Sequence, residues 1–123
     1  MGRRKQLTVS DIIKSAQALM GYGSADVIGY NDEAMLQRSI LAVNHIIADL
    51  DGKITVKEAN EQLPLPIPAL RAMPYGVAML LSLAEGDAAR NNTFANIYNA
   101  MRAAAKGSIS TVVDTIPTSE VGI

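Results

Sequence analysis

Residues 71–92, RAMPYGVAMLLSLAEGDAARNN, decide how this chain is read. After Arg71 come thirteen residues without a charge, Ala72 to Ala84, interrupted by Pro74 and Gly76 and closed by Glu85-Gly86-Asp87. A membrane-spanning helix needs roughly 20 apolar residues, whereas runs of about 10–14 belong more often to buried core helices. The segment therefore reads as the central helix of a bundle, in a soluble protein. Pro74 either bends that helix or starts it, because an interior proline removes one backbone hydrogen bond and crowds the preceding turn. Gly76 lets another backbone come close. Gly86 closes the helix and Asp87 caps the next, so the pair folds into an antiparallel hairpin.

Working outward, the fourth helix carries Phe94, Ile97, Tyr98, Met101 and Ala104/Ala105 on one stripe and ends near Gly107. Upstream, Leu36, Ile40, Val43, Ile47 and Leu50 recur at spacings of 4, 3, 4 and 3, with Met35 and Ile46 widening the stripe; Asn44, His45 and Asp49 lie opposite. That pattern is an amphipathic helix with one buried face, capped by Asn31 and ending at Asp51-Gly52. A first helix starts at Thr8, with Asp11 in its first turn, and stops at Gly21-Tyr22-Gly23. Pro64, Pro66 and Pro68 force their predecessors toward extended geometry, which makes 63–67 a stiff connector with Leu63, Leu65 and Ile67 on its apolar side. The tail after Gly107, SISTVVDTIPTSEVGI, is β-branched and polar and reads as an extended arm. The expected fold is all-α: a small bundle of about four helices (near 8–20, 31–50, 68–85 and 88–106), an extended loop at 51–67, a domain of residues 1–107 and an arm at 108–123.

The composition narrows the chemistry. With 123 residues, about half of them apolar, the chain is long enough for one domain with its own core. It has no cysteine, so disulfides, thiolate zinc sites and a cysteine nucleophile are excluded. A net charge of −1 offers no global attraction to nucleic acid or membranes, and four Tyr, one Phe and no Trp give little for stacking on single strands. Nothing resembles a nucleophile elbow, a phosphate loop or a metalloprotease helix, and Gly21-Tyr22-Gly23-Ser24 follows a helix rather than a strand. No enzyme activity and no cofactor are expected.

Two motifs point elsewhere. Ile47–Glu58, IADLDGKITVKE, places Asp49, Asp51, Gly52, Ile54 and Glu58 at positions 3, 5, 6, 8 and 12 of an EF-hand loop. Position 1, however, is Ile47, on the buried stripe, so a first carboxylate is missing. A calcium-binding helical module using Asp49, Asp51 and Glu58 is one alternative; a helix end followed by a polar turn is the other. Arg3, Arg4 and Lys5 offer a weak DNA contact and a third reading, a small DNA-binding helical protein. His45, the single histidine, has no companion ligands and reads as a solvated helix position.

Leu63 to Ala105 resembles the small head–tail connector (adaptor or head-completion) proteins of tailed bacteriophages. The resemblance rests on the leucine-proline arm, Pro74-Tyr75-Gly76-Val77-Ala78 opening an apolar helix, Glu85-Gly86-Asp87, and Tyr98-Asn99 before a basic, alanine-rich helix end. It implies a structural virion protein, made in the host cytoplasm and located at the head–tail junction. Such proteins assemble as a homo-oligomeric ring, commonly of twelve copies. The ring docks on the portal protein, continues the DNA channel toward the tail without sequence specificity, and presents a surface to a downstream tail or stopper protein. The family's use of extended segments for subunit and portal contacts points here to Leu63, Leu65, Ile67, Val112, Val113 and Ile116. The near-EF pattern at 47–58 is a departure from that family.

Overall fold

The first helix begins where its cap predicts. Thr8 Oγ1 accepts from the Asp11 N–H at 3.2 Å, and the Asp11 carboxylate accepts from the Thr8 N–H at 2.9 Å. This reciprocal capping box satisfies two donors that no helical carbonyl can reach. In the computed structural model, which describes residues 7–21 and 33–121 with side chains as far as Ser110, four helices follow one another: α1 (Val9–Leu19), α2 (Glu33–Asp49), α3 (Ile67–Ala84) and α4 (Ala88–Val121). No strand occurs among the described residues; the extended pairing is a single bridge between Thr8 and Gln62. The chain is an all-α bundle.

Helix α3 is the central element, packed against the other three, and α4 folds back along it. By length and composition α3 would also cross a membrane, but 44 % of it is buried inside the bundle. Its end is a tight reversal. Gly86 takes φ 76°, its N–H donates to Leu83 O at 3.0 Å, and Asp87 N–H donates to Ser82 O at 2.9 Å. The left-handed residue turns the last amides back onto carbonyls that would otherwise lack partners. Asp87 Oδ1 then accepts from the Arg90 N–H at 3.0 Å, capping α4.

The two predicted stripes supply the core. Ile40, Val43, Ile46, Ile47 and Leu50 from α2 meet Val9, Ile12, Ile13 and Ala16 from α1 and Met73, Val77, Ala78 and Leu81 from α3, with Phe94, Tyr98 and Ala105 from α4. Ile97 and Ala104, expected on the buried stripe of α4, are exposed at its edge. The 51–67 loop is strapped onto this core. Asn44 uses its whole amide on Val56, donating to its carbonyl at 2.8 Å and accepting its N–H at 2.8 Å. Val9 and Ser10 N–H donate to Glu61 and Ala59 O, and Leu63 N–H donates to Leu7 O. Glu61 Oε2 accepts from Lys57 and Glu58 N–H. These amide hydrogen bonds favour the charged carboxylate and hold the Glu61 pKa below its ordinary value.

Three expectations need correction. First, the chain does not leave the helix at Gly107. Ile109, one turn beyond buried Ala105, is itself buried, and the helix runs on to Val121. Glycine costs only about 1 kcal/mol in a helix, and extending an existing ladder is far easier than nucleating one. The apolar positions 105, 109, 112, 113 and 116 also keep helical spacing, although the β-branched residues at the last four lower helix propensity. Second, α3 starts at Ile67, with Pro68 in the first turn and Pro74 inside, so Pro74 is not a helix start. Third, Gly76 makes room for side chains rather than for a backbone. A Cβ there would lie 2.8 Å from Ile46 Cδ1 and 3.0 Å from Tyr98 Cε1.

Candidate functional site

The C-terminus of α2 comes to lie against α4, and the polar groups there form one network. Asp49 Oδ2 accepts from Arg102 Nε at 2.7 Å and from the Tyr98 hydroxyl at 2.6 Å, and Asp49 Oδ1 accepts from Arg102 Nη2 at 3.1 Å. Tyr98 and Arg102 are four residues apart, so one face of α4 presents both to the same carboxylate. One turn further on, Lys106 Nζ lies 3.4 Å from Asp51 Oδ2. The Arg102 hydrogen bonds hold the Asp49 carboxyl below its ordinary pKa against the opposing effect of partial burial, and the Tyr98 hydroxyl adds to the lowering. Burial, and then the Asp49 charge, push the Tyr98 hydroxyl up. The same carboxylate raises Arg102. A phenol held neutral and a carboxylate held ionised by a fork of donors make a tie between helices.

That tie bears directly on the EF-hand pattern. Both Asp49 oxygens face Arg102, Asp51 faces Lys106, and Glu58 is exposed in the strapped loop. Asp51, rather than Gly52, takes the left-handed conformation, at φ 68°. Asp51 N–H donates to Ala48 O and Gly52 N–H to Ile47 O, which is a helix C-cap. Among the described residues no three His, Asp or Glu side chains gather where a metal ion would sit. The structure does not assemble the three calcium candidates.

Of the predicted contact residues, Leu63 is only 1 % exposed and belongs to the core, which corrects its assignment to an interface. Leu65 packs partly against the core, and Ile67 is 52 % exposed. The side chains of Val112, Val113 and Ile116 lie outside the described residues, as do Arg3, Arg4 and Lys5. His45 is exposed on α2.

A second feature had no sequence signal. Pro68 and Arg71 from the start of α3 and Ala100, Met101 and Ala104 from α4 line an open groove of about 320 Å³. Arg71 forms no ion pair or side-chain hydrogen bond among the described residues. The groove exists because Ala100 and Ala104 are too small to fill the gap beside α3, a fact that depends on which α4 face meets α3. Comparison with known proteins returns no matching family model, no similar curated protein and no similar solved structure.

Proposed function

We propose that this chain is a non-enzymatic structural subunit of a tailed-phage head–tail junction. It forms a ring on the portal, continues the DNA channel and receives a downstream tail or stopper protein. The observation that carries the reading is the behaviour of the Leu63–Ala105 stretch. The residues that resemble the connector family fold as one proline-led hairpin on which α1 and α2 pack. That hairpin keeps large apolar side chains at its surface, with Ile67 at 52 % and Leu83 at 62 % exposure. A near-neutral chain also suits the wall of a DNA passage, because strong phosphate pairing would retard transit.

The test is co-expression with a portal protein encoded in the same genome, followed by gradient sedimentation and negative-stain electron microscopy. Rings of this chain seated on the portal are the expected result. A chain that never co-sediments with portal and forms no closed ring refutes the proposal.

A further inference from the structure

The groove between the start of α3 and the middle of α4 brings an apolar concavity and an unanswered cation together. Pro68, Ala100, Met101 and Ala104 make its apolar walls, and Arg71 is the single charged residue among its lining. Ile67, next to Pro68, is exposed and extends the apolar rim. Met101 is half-buried, and an unbranched thioether adapts to irregular shapes. Arg71 is exposed and has no polar partner among the described residues. The reason is geometric. Asp49 and Asp51, the carboxylates at this level of α4, are held by Arg102 and Lys106. Ala100 and Ala104 each stand two residues from Arg102, which is about 200° around the helix. The groove therefore opens on the side of α4 turned away from both acids. The start of α3 adds positive charge of its own, since Pro66 at its N-cap gives the first-turn amides no side-chain acceptor.

We infer that this groove is a docking site for a different polypeptide that presents an apolar side chain beside a carboxylate. The size sets the scale of the contact. A volume of about 320 Å³ is at the small end of binding sites, roughly 300–1,000 Å³, so it takes one or two side chains and not a helix. The charge selects the carboxylate, because the flat guanidinium fork can hold both of its oxygens at once. Nucleic acid fits poorly: one cation set in apolar walls answers one phosphate, and no aromatic ring lines the groove for stacking. A second copy is also a poor occupant. Of the two most exposed large apolar side chains, Leu41 has Arg38 and His45 at i−3 and i+4 and no acid within a turn. The other, Leu83, has Glu85 beside it, but Glu85 already makes an interaction within its own chain. The site goes beyond the ring reading and does not rest on it.

The test is a nuclear magnetic resonance titration of the isotope-labelled full-length protein, read at the Met101 methyl and the Arg71 side-chain N–H. The probes are the acetylated and amidated tripeptides Leu-Asp-Leu and Leu-Asn-Leu, alike in shape and different in charge. Saturable shifts at both residues are the expected result. The dissociation constant should be on the order of a millimolar for the acidic peptide and about fivefold weaker for the neutral one. Arg71→Gln should erase that difference, and Ala104→Leu, which fills the groove, should abolish binding of both peptides. Both positions are exposed, so the variants should keep the fold, with circular dichroism as the check. Three results would each overturn the inference: no saturable shift up to about 10 mM peptide, equal affinity for the two peptides, or unchanged binding to Ala104→Leu. Sedimentation velocity of the protein alone covers the other occupant. Self-association that Arg71→Gln weakens would mean that a second copy takes the groove, which overturns the assignment to a different polypeptide. Binding of the acidic peptide by a chain that ignores portal would support the site and refute the ring reading alone.

Discussion

The same substitution at two helical glycines should change stability in opposite directions. Gly107 lies inside α4 with nothing within 4 Å of an added Cβ. Alanine there removes backbone freedom from the unfolded chain and clashes with nothing, so Gly107→Ala should stabilise by about 0.5–1 kcal/mol. Gly76→Ala in α3 gains the same term, but its Cβ would meet Ile46 Cδ1 at 2.8 Å, Ile46 Cγ1 at 3.0 Å and Tyr98 Cε1 at 3.0 Å. Tyr98 is 2 % exposed and tethered to Asp49, so Ile46 has to move. Overpacking of a filled core costs about 1–3 kcal/mol, which outweighs the helix gain and leaves a net loss of about 1 kcal/mol. Urea unfolding followed by circular dichroism at 222 nm, at one fixed protein concentration, measures both. Ile46→Val removes the nearest methyl. Alone it should cost about 0.5–1.5 kcal/mol; combined with Gly76→Ala it should cost clearly less, because the two sites touch. Equal stabilisation by alanine at 76 and 107 would refute the packing assigned to the α2–α3–α4 junction.

The remaining predictions concern single side chains. Asp49→Asn should lose roughly 0.5–1 kcal/mol at neutral pH, a figure reduced for screening because the Asp49 side chain is 39 % exposed. Its folded pKa is depressed, so the contribution is fully present above the unfolded value of about 3.9 and disappears as pH falls through the folded one. Unfolding curves should therefore show a gap between wild type and variant at pH 7 that narrows as the pH falls below about 3.9 and closes only below the folded pKa. Leu81→Ala, at 3 % exposure, should cost about 2–5 kcal/mol, while Leu83→Ala, at 62 %, should stay within about 0.5 kcal/mol in thermal scans. Asn44→Ala strips both partners from the Val56 backbone and should cost about 1–3 kcal/mol, with faster amide exchange at Val56 as its signature. Ser82 Oγ is buried without a partner among the described residues. Ser82→Ala should accordingly stabilise the protein by about 0.5–1 kcal/mol, read as a higher urea midpoint.

Much of the helical plan is local and therefore legible. The Thr8–Asp11 cap, the stop at Gly86 and the Asp87 cap depend on residues within one turn of each other. The α2 stripe is visible because 3.6-residue periodicity is a property of the chain alone. The tail after Gly107 misled for an equally local reason: β-branched residues and Pro117 weaken helix propensity. Propensity is a weak preference that burial of Ile109 and an existing ladder can override. The candidate site was less visible. Asp49 stands out in the sequence only for its place in a calcium-loop pattern, because its partners lie 49 and 53 residues away.

The sequence by itself determined the four-helix, all-α plan, the hairpin between Ala72 and Asn92 and the exclusion of cysteine chemistry, though not how far α4 runs, because caps, periodicity and composition act over short distances. Tertiary structure alone decided three other matters. Asp49 serves as a tie to Tyr98 and Arg102, Leu63 belongs to the core rather than to an outward arm, and Arg71, beside an apolar groove, has no polar partner among the described residues. Each depends on which faces of α2, α3 and α4 meet, and that choice is made by the packing of side chains far apart in the chain.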